Sequence, residues 1–105
     1  MYGTISRIVA AKGRGVELAV HVLTGIEHFP GCLSYIVSRD ETDADALWVT
    51  EVWTSKASQE SALVRPAIRE AIFGAAPLIA LFEGVARTAI VGGLGVARPA
   101  VAGSA

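Results

Sequence analysis

Cysteine is almost missing from this 105-residue chain. Cys32 stands alone, so no intrachain disulfide can form, and a reducing cytoplasm is the expected compartment. A single thiol at the entry to a strand reads as a small buried apolar residue, since no base lies near it in sequence. Asparagine is absent altogether and histidine occurs twice. Charged residues make up only 18%, with 9 Lys and Arg against 10 Asp and Glu. That balance lacks the cationic surplus that nucleic-acid phosphates require. Long apolar runs are missing too. The longest uncharged stretch in the folded-looking part, Ala71–Phe82, is interrupted by Gly74 and Pro77, whereas a membrane span takes roughly 20 apolar residues. The start, Met1-Tyr2-Gly3-Thr4-Ile5-Ser6-Arg7, has no basic segment leading into an apolar one and does not read as a signal peptide.

What is abundant is apolar residue: 52% of the chain, with a mean hydropathy of +0.50. In one small domain that excess predicts association, because a monomer would leave apolar surface in water. The domain is expected over residues 1–91. Residues 92–105, with four glycines and one charge, read as a loose tail.

The patterning predicts a strand over Tyr2–Val9, punctuated by Lys12-Gly13-Arg14-Gly15. Val16, Ala19, Val22, Leu23 and Ile26 then recur at helical spacing, with Glu17, His21, Thr24 and His28 on the opposite side, until Pro30-Gly31. Cys32–Arg39 and Leu47–Trp53 read as a hairpin joined by the acidic connection Asp40–Asp45. Thr54 or Ser55 caps a helix from Lys56 to Val64, and Pro66 starts a second piece. Phe82–Val91 is the last strand. The order β-α-β-β-α-β is the α+β, ferredoxin-like pattern with one antiparallel sheet.

Such a sheet carries helices on one face, so its other face should be polar if it meets water. Leu47, Val49 and Trp53 accompany Glu51 on one parity of the third strand; Trp48 and Val52 accompany Thr50 on the other. Neither parity is polar. A face-to-face homodimer is the expected cover.

Three segments carry a further resemblance. They are Pro30-Gly31-Cys32-Leu33-Ser34-Tyr35, Ala46-Leu47-Trp48-Val49-Thr50-Glu51-Val52-Trp53-x-Ser55, and Leu63-x-x-Pro66-x-Ile68-Arg69-x-Ala71-Ile72 followed by Pro77-Leu78-Ile79. Over residues 2–90 the chain resembles the antibiotic biosynthesis monooxygenase family, in particular its quinol monooxygenase-like branch. The resemblance implies a dimeric α/β barrel with a cavity between each sheet and its helices. It also implies oxidation of electron-rich phenols, quinols or anthrones by dioxygen as co-substrate, with no metal and no other cofactor. On that reading Trp53, Trp48 and Tyr35 wall the substrate site, Trp53 in preference to Trp48. Ser6, Ser34 and Thr50 supply hydrogen bonds, Arg87 is an anion partner, and the catalytic candidates are Tyr35, Arg87 and Glu51. Relatives commonly carry a histidine in the second helix, where this chain reads Lys56-Ala57-Ser58-Gln59-Glu60-Ser61-Ala62-Leu63. The haem-degrading branch uses an asparagine in the first strand, which this chain lacks.

Other residues have plainer readings. His21 and His28 lie about 10 Å apart along a helix axis, too far to share a metal, and His21 reads as a solvated partner of Glu17. Asp40–Asp45 lacks the glycine and terminal glutamate of a calcium loop and reads as solvated. Glu51 reads as the partner of Arg7 or Arg87 across the sheet. The expected function is a cofactor-independent monooxygenase or oxidase of a small quinol- or anthrone-like aromatic. The alternative is a non-catalytic ligand-binding or dimerisation protein of the same fold. A cavity of roughly 300 Å3 or more lined by Tyr35 or a tryptophan favours ligand chemistry.

Overall fold

The computed structural model describes residues 1–24 and 29–95. Its elements are β1 (Tyr2–Ala10), α1 (Gly15–Leu23), β2 (Cys32–Arg39), β3 (Ala46–Trp53), α2 (Lys56–Leu63), α3 (Pro66–Ala75), a single 3-10 turn at Ala76–Leu78 and β4 (Ile79–Ala89). The strands form one antiparallel sheet in the order β2-β3-β1-β4. This is the ferredoxin-like α+β arrangement, with its long helical connection broken into two by Pro66. Ser55 caps α2 by accepting from the Ser58 amide at 3.1 Å. No helix among the described residues is long and apolar enough to cross a membrane.

Alternation of side chains gives the sheet two faces. The inner one carries Ile8 of β1, Tyr35 and Val37 of β2, and Leu47 and Val49 of β3. Leu18 of α1 packs on this face fully buried, alongside Ala10, Ala75 and Leu78. Burying a leucine of this kind contributes about 1.5–3 kcal/mol. Val16, expected inside, is instead 66% exposed. The helix is rotated because Gly15 lies against the β2–β3 connection: a Cβ there would sit 2.5 Å from the Ala44 carbonyl oxygen. Gly15 and Leu18 therefore face the sheet, and α1 ends at Leu23. Ile26 and His28 lie outside the described residues, as do residues 96–105 of the expected tail.

β4 starts three residues earlier and ends two residues earlier than expected. Phe82 and Val85, three residues apart and so on opposite faces of a regular strand, both turn inward. Between them the pairing with β1 shifts register, and Gly84 takes φ +95°, a conformation glycine adopts without penalty. The bulge brings Glu83 to Arg7, with Nη1 to Oε2 at 2.6 Å. Arg7 is thus an outer-face residue. It also meets Asp40 at 3.5 Å and lies 5.8 Å from the centroid of the Trp48 ring.

The acidic connection is tied down rather than freely solvated. Asp45 accepts from the amides of Gly13 (2.9 Å) and Gly15 (3.1 Å), holding the start of α1. Asp40 accepts from Trp48 Nε1 at 2.9 Å, from the Thr42 amide and hydroxyl, both at 2.9 Å, and from the Asp43 amide. The Trp48 and Thr42 bonds, with the charge of Arg7, hold this carboxyl well below the usual aspartate range. A depressed native value means stability that is present above the unfolded pKa and lost as pH falls toward the native one. Asp40→Ala should therefore melt below the wild type at neutral pH. The gap should close as pH falls below about 3.9. A gap in melting temperature that persists unchanged into strong acid refutes this account.

Candidate active site

The inner face and the helices do not close on each other completely. They leave a cavity of about 370 Å3 whose floor is the sheet and whose walls are α1, α2 and α3. Phe29, Tyr35 and Trp53 form its aromatic end: Phe29 stacks on Trp53 at 5.8 Å and meets Tyr35 edge-on at 5.6 Å. Ile68, Ala71 and Ile72 of α3 and Ile8, Val49 and Ile79 of the strands supply apolar lining. Phe82, Val85 and Arg87 on the edge strand β4 remain exposed, so the cavity opens on that side.

Strand register puts one polar row across this floor. Tyr35 of β2 pairs with Glu51 of β3, Glu51 with Thr4 of β1, and Thr4 with Arg87 of β4. All four line the cavity. Glu51 Oε1 accepts from Trp53 Nε1 at 2.8 Å and from Gln59 Nε2 at 3.4 Å. The expected ion pair of Glu51 with Arg7 does not form, because alternation sends Arg7 through the opposite face. Arg87 shares the face of Glu51 but stands two strands away. Thr4 is 3% exposed, and its hydroxyl has no hydrogen-bond partner. Burial, reinforced by the charge of Glu51, pushes the Tyr35 hydroxyl far above its ordinary range. It is therefore a proton-bearing donor at neutral pH.

Of the residues expected at the site, Ser6, Tyr35, Glu51, Trp53 and Arg87 line the cavity, and Ser34, Trp48 and Thr50 do not. Trp48 and Thr50 are one residue out of phase with Val49 and Glu51, so they project from the outer face. Ser34, opposite Val52 beside the irregularity at Cys32, falls on that face as well. Cys32 is half-buried, and burial raises its thiol above the ordinary range.

His21 reverses its sequence reading. Glu17 pairs with Arg14 in solvent at 2.7 Å, whereas His21 turns into the cavity near Gly74 of α3, within 4 Å of where a Cβ there would lie. Thr4, Phe29 and Gln59 also line the site without having been singled out. The even parity of Tyr2, Thr4, Ser6 and Ile8 was the available signal for Thr4. For His21 there was none, since a helix's own periodicity does not reveal which neighbour covers its second side. Among the described residues, no three His, Cys, Asp or Glu side chains gather as a metal-binding group.

The comparisons with known proteins agree on one relationship. The family described as antibiotic biosynthesis monooxygenase matches residues 5–72. Two crystal structures described as a "putative antibiotic biosynthesis monooxygenase" superpose on this fold. That from Chloroflexus aurantiacus J-10-fl is 40% identical, with a TM-score of 0.87, covering 91% of this chain and 98% of its own. That from Deinococcus radiodurans is 20% identical, with a TM-score of 0.73, covering 90% and 96%. A Pseudomonas aeruginosa structure at 20% identity and a TM-score of 0.71, covering 83% and 90%, shares the fold. No curated protein matches the chain.

Proposed function

Because the chain belongs to the antibiotic biosynthesis monooxygenase family, we propose that it oxidises a small quinol- or anthrone-like aromatic with dioxygen, without a metal or organic cofactor. The observation that carries this reading is the largely apolar, aromatic-ended cavity whose floor is crossed by a row of polar groups drawn from all four strands. Its volume lies within the usual range for small-molecule sites.

A phenolate or enolate is itself able to reduce dioxygen, so the protein's tasks are deprotonation, stabilisation of the anion and exclusion of water. Glu51 takes the proton from the substrate hydroxyl. Trp53 and Gln59 fix one of its oxygens, leaving the other to work in the cavity. The neighbouring Tyr35 hydroxyl donates to the oxyanion. The carbanionic carbon passes one electron to dioxygen, and the resulting radical pair combines into a peroxide. For an anthrone, that peroxide loses water to leave a ketone, with one oxygen atom in product and one in water. For a quinol, two electrons and two protons pass to dioxygen instead, giving quinone and hydrogen peroxide.

We place a second copy of the chain on the outer sheet face, where Ile5, Ile36, Trp48 and Leu81 stand exposed in the monomer. An oxygen electrode tests the reaction on a panel of anthrones and dihydroxynaphthalenes. Oxygen uptake proportional to enzyme, matched to product, is expected. Tight binding without uptake above buffer would reduce the protein to a ligand-binding module.

A further inference from the structure

The floor of the cavity is bipolar. Glu51 stands toward one end of the polar row and Arg87 at the other, two strands apart, which places their backbones roughly 10 Å from each other. Among the described residues Arg87 meets no carboxylate within ion-pair distance; the ion pairs formed there belong to Arg7 and Arg14. Between the two charges lies the buried Thr4 hydroxyl with no partner. A buried hydroxyl without a partner is costly to leave unsatisfied, and the Arg87 guanidinium, exposed at the open side of the cavity, stands next to it with no carboxylate of its own. Both are met by one ligand group that accepts hydrogen bonds and carries negative charge.

We propose that the substrate is an aromatic acid, a fused-ring hydroxyarene whose carboxylate sits at the Arg87 end of the cavity while its reacting hydroxyl meets Glu51. Arg87 supplies planar, bidentate recognition, and Thr4 donates its hydroxyl hydrogen to the same carboxylate. The fit depends on charge as well as length. A carboxylate placed at the other end would face Glu51, so the row orients the ligand in one direction. The apolar walls then hold the rings between the two polar ends. This deepens the reaction proposed above and rests on it for the role of Glu51.

The test is a binding measurement under anaerobic conditions, so it needs no turnover. A hydroxynaphthoate and the naphthol lacking its carboxylate are titrated into the protein, with tryptophan fluorescence or calorimetry as readout. The acid should bind at least about tenfold more tightly than the naphthol. Arg87→Gln should abolish that preference, and Arg87→Lys should keep part of it. Thr4→Val should weaken binding of the acid severalfold, yet melt no lower than the wild type without ligand. Equal affinity for the two compounds, binding by neither, or a preference that survives Arg87→Gln overturns the proposal. Unchanged affinity for the acid in Thr4→Val removes the hydroxyl from it. Oxygen uptake on neutral quinols alone would overturn the acid while sparing the oxidation. A clear acid preference without oxygen uptake would do the reverse.

Discussion

Glu51→Gln should lower kcat for the oxygen-dependent reaction by about a hundred- to ten-thousand-fold, the usual contribution of a positioned general base. The substitution keeps the shape of the side chain and leaves an amide oxygen to accept from Trp53 Nε1 and Gln59 Nε2, which now bond to Glu51 Oε1. The fold should therefore persist, with KM changing far less than kcat. His21→Gln is the needed comparison, because the His21 imidazole also lines the cavity. It sits on the helical wall, whereas Glu51 stands on the floor between Tyr35 and Thr4. His21→Gln should cost less than about tenfold. The reverse order of the two losses would transfer the base role to His21. Equal, small losses from both would indicate that the substrate ionises without help from the protein.

The way Glu51 is held also answers a difference from the family pattern. The second helix lacks the histidine that relatives commonly place there, and Gln59 on that helix instead donates to Glu51. On the proposed mechanism, a residue that cannot move protons contributes by orienting the one that does. Gln59→Leu should act through this contact, reducing kcat less than Glu51→Gln does.

The strands were easy to read because their period is two: once Trp53 and Glu51 share a face, Trp48 and Thr50 are forced to the other. Prolines and capping residues marked the helices with similar clarity, as at Ser55 and Pro66. What stayed hidden depended on contacts distant in sequence. The phase of α1 is set by the close approach of Gly15 to Ala44 and Asp45, thirty residues away. The inward turn of both Phe82 and Val85 needs the bulge at Gly84, and one glycine inside a strand does not reveal its own φ. The polar row was hidden for a related reason. Tyr35, Glu51, Thr4 and Arg87 come from four separate strands, and only the register brings them into line. The polarity of each residue was visible in the sequence, but their alignment was not.

A single charge on the outer face should dissociate the proposed dimer. Ile5 lies on the central strand β1, flanked by Thr50 of β3 and Ala86 of β4, and is 41% exposed in the isolated chain. In a two-fold symmetric interface each substitution appears twice, so Ile5→Glu would bury two carboxylates of the same sign in the interface. Unpaired buried charge costs several kcal/mol per ion, enough to move association from nanomolar to beyond micromolar, since about 1.4 kcal/mol is tenfold. The charges already on this face do not offset it, because Arg7 is held by Glu83, Asp40 and Asp43. Sedimentation of the wild type should give twice the 10.9 kDa chain mass, and Ile5→Glu should give one. The cavity lies on the other side of the sheet, so circular dichroism of the variant should remain native and hydroxynaphthoate binding should survive. A wild type that sediments as a monomer at micromolar concentration refutes the dimer directly. It would leave Ile36, Trp48 and Leu81 exposed to water in a protein with unusually few charges to keep it soluble.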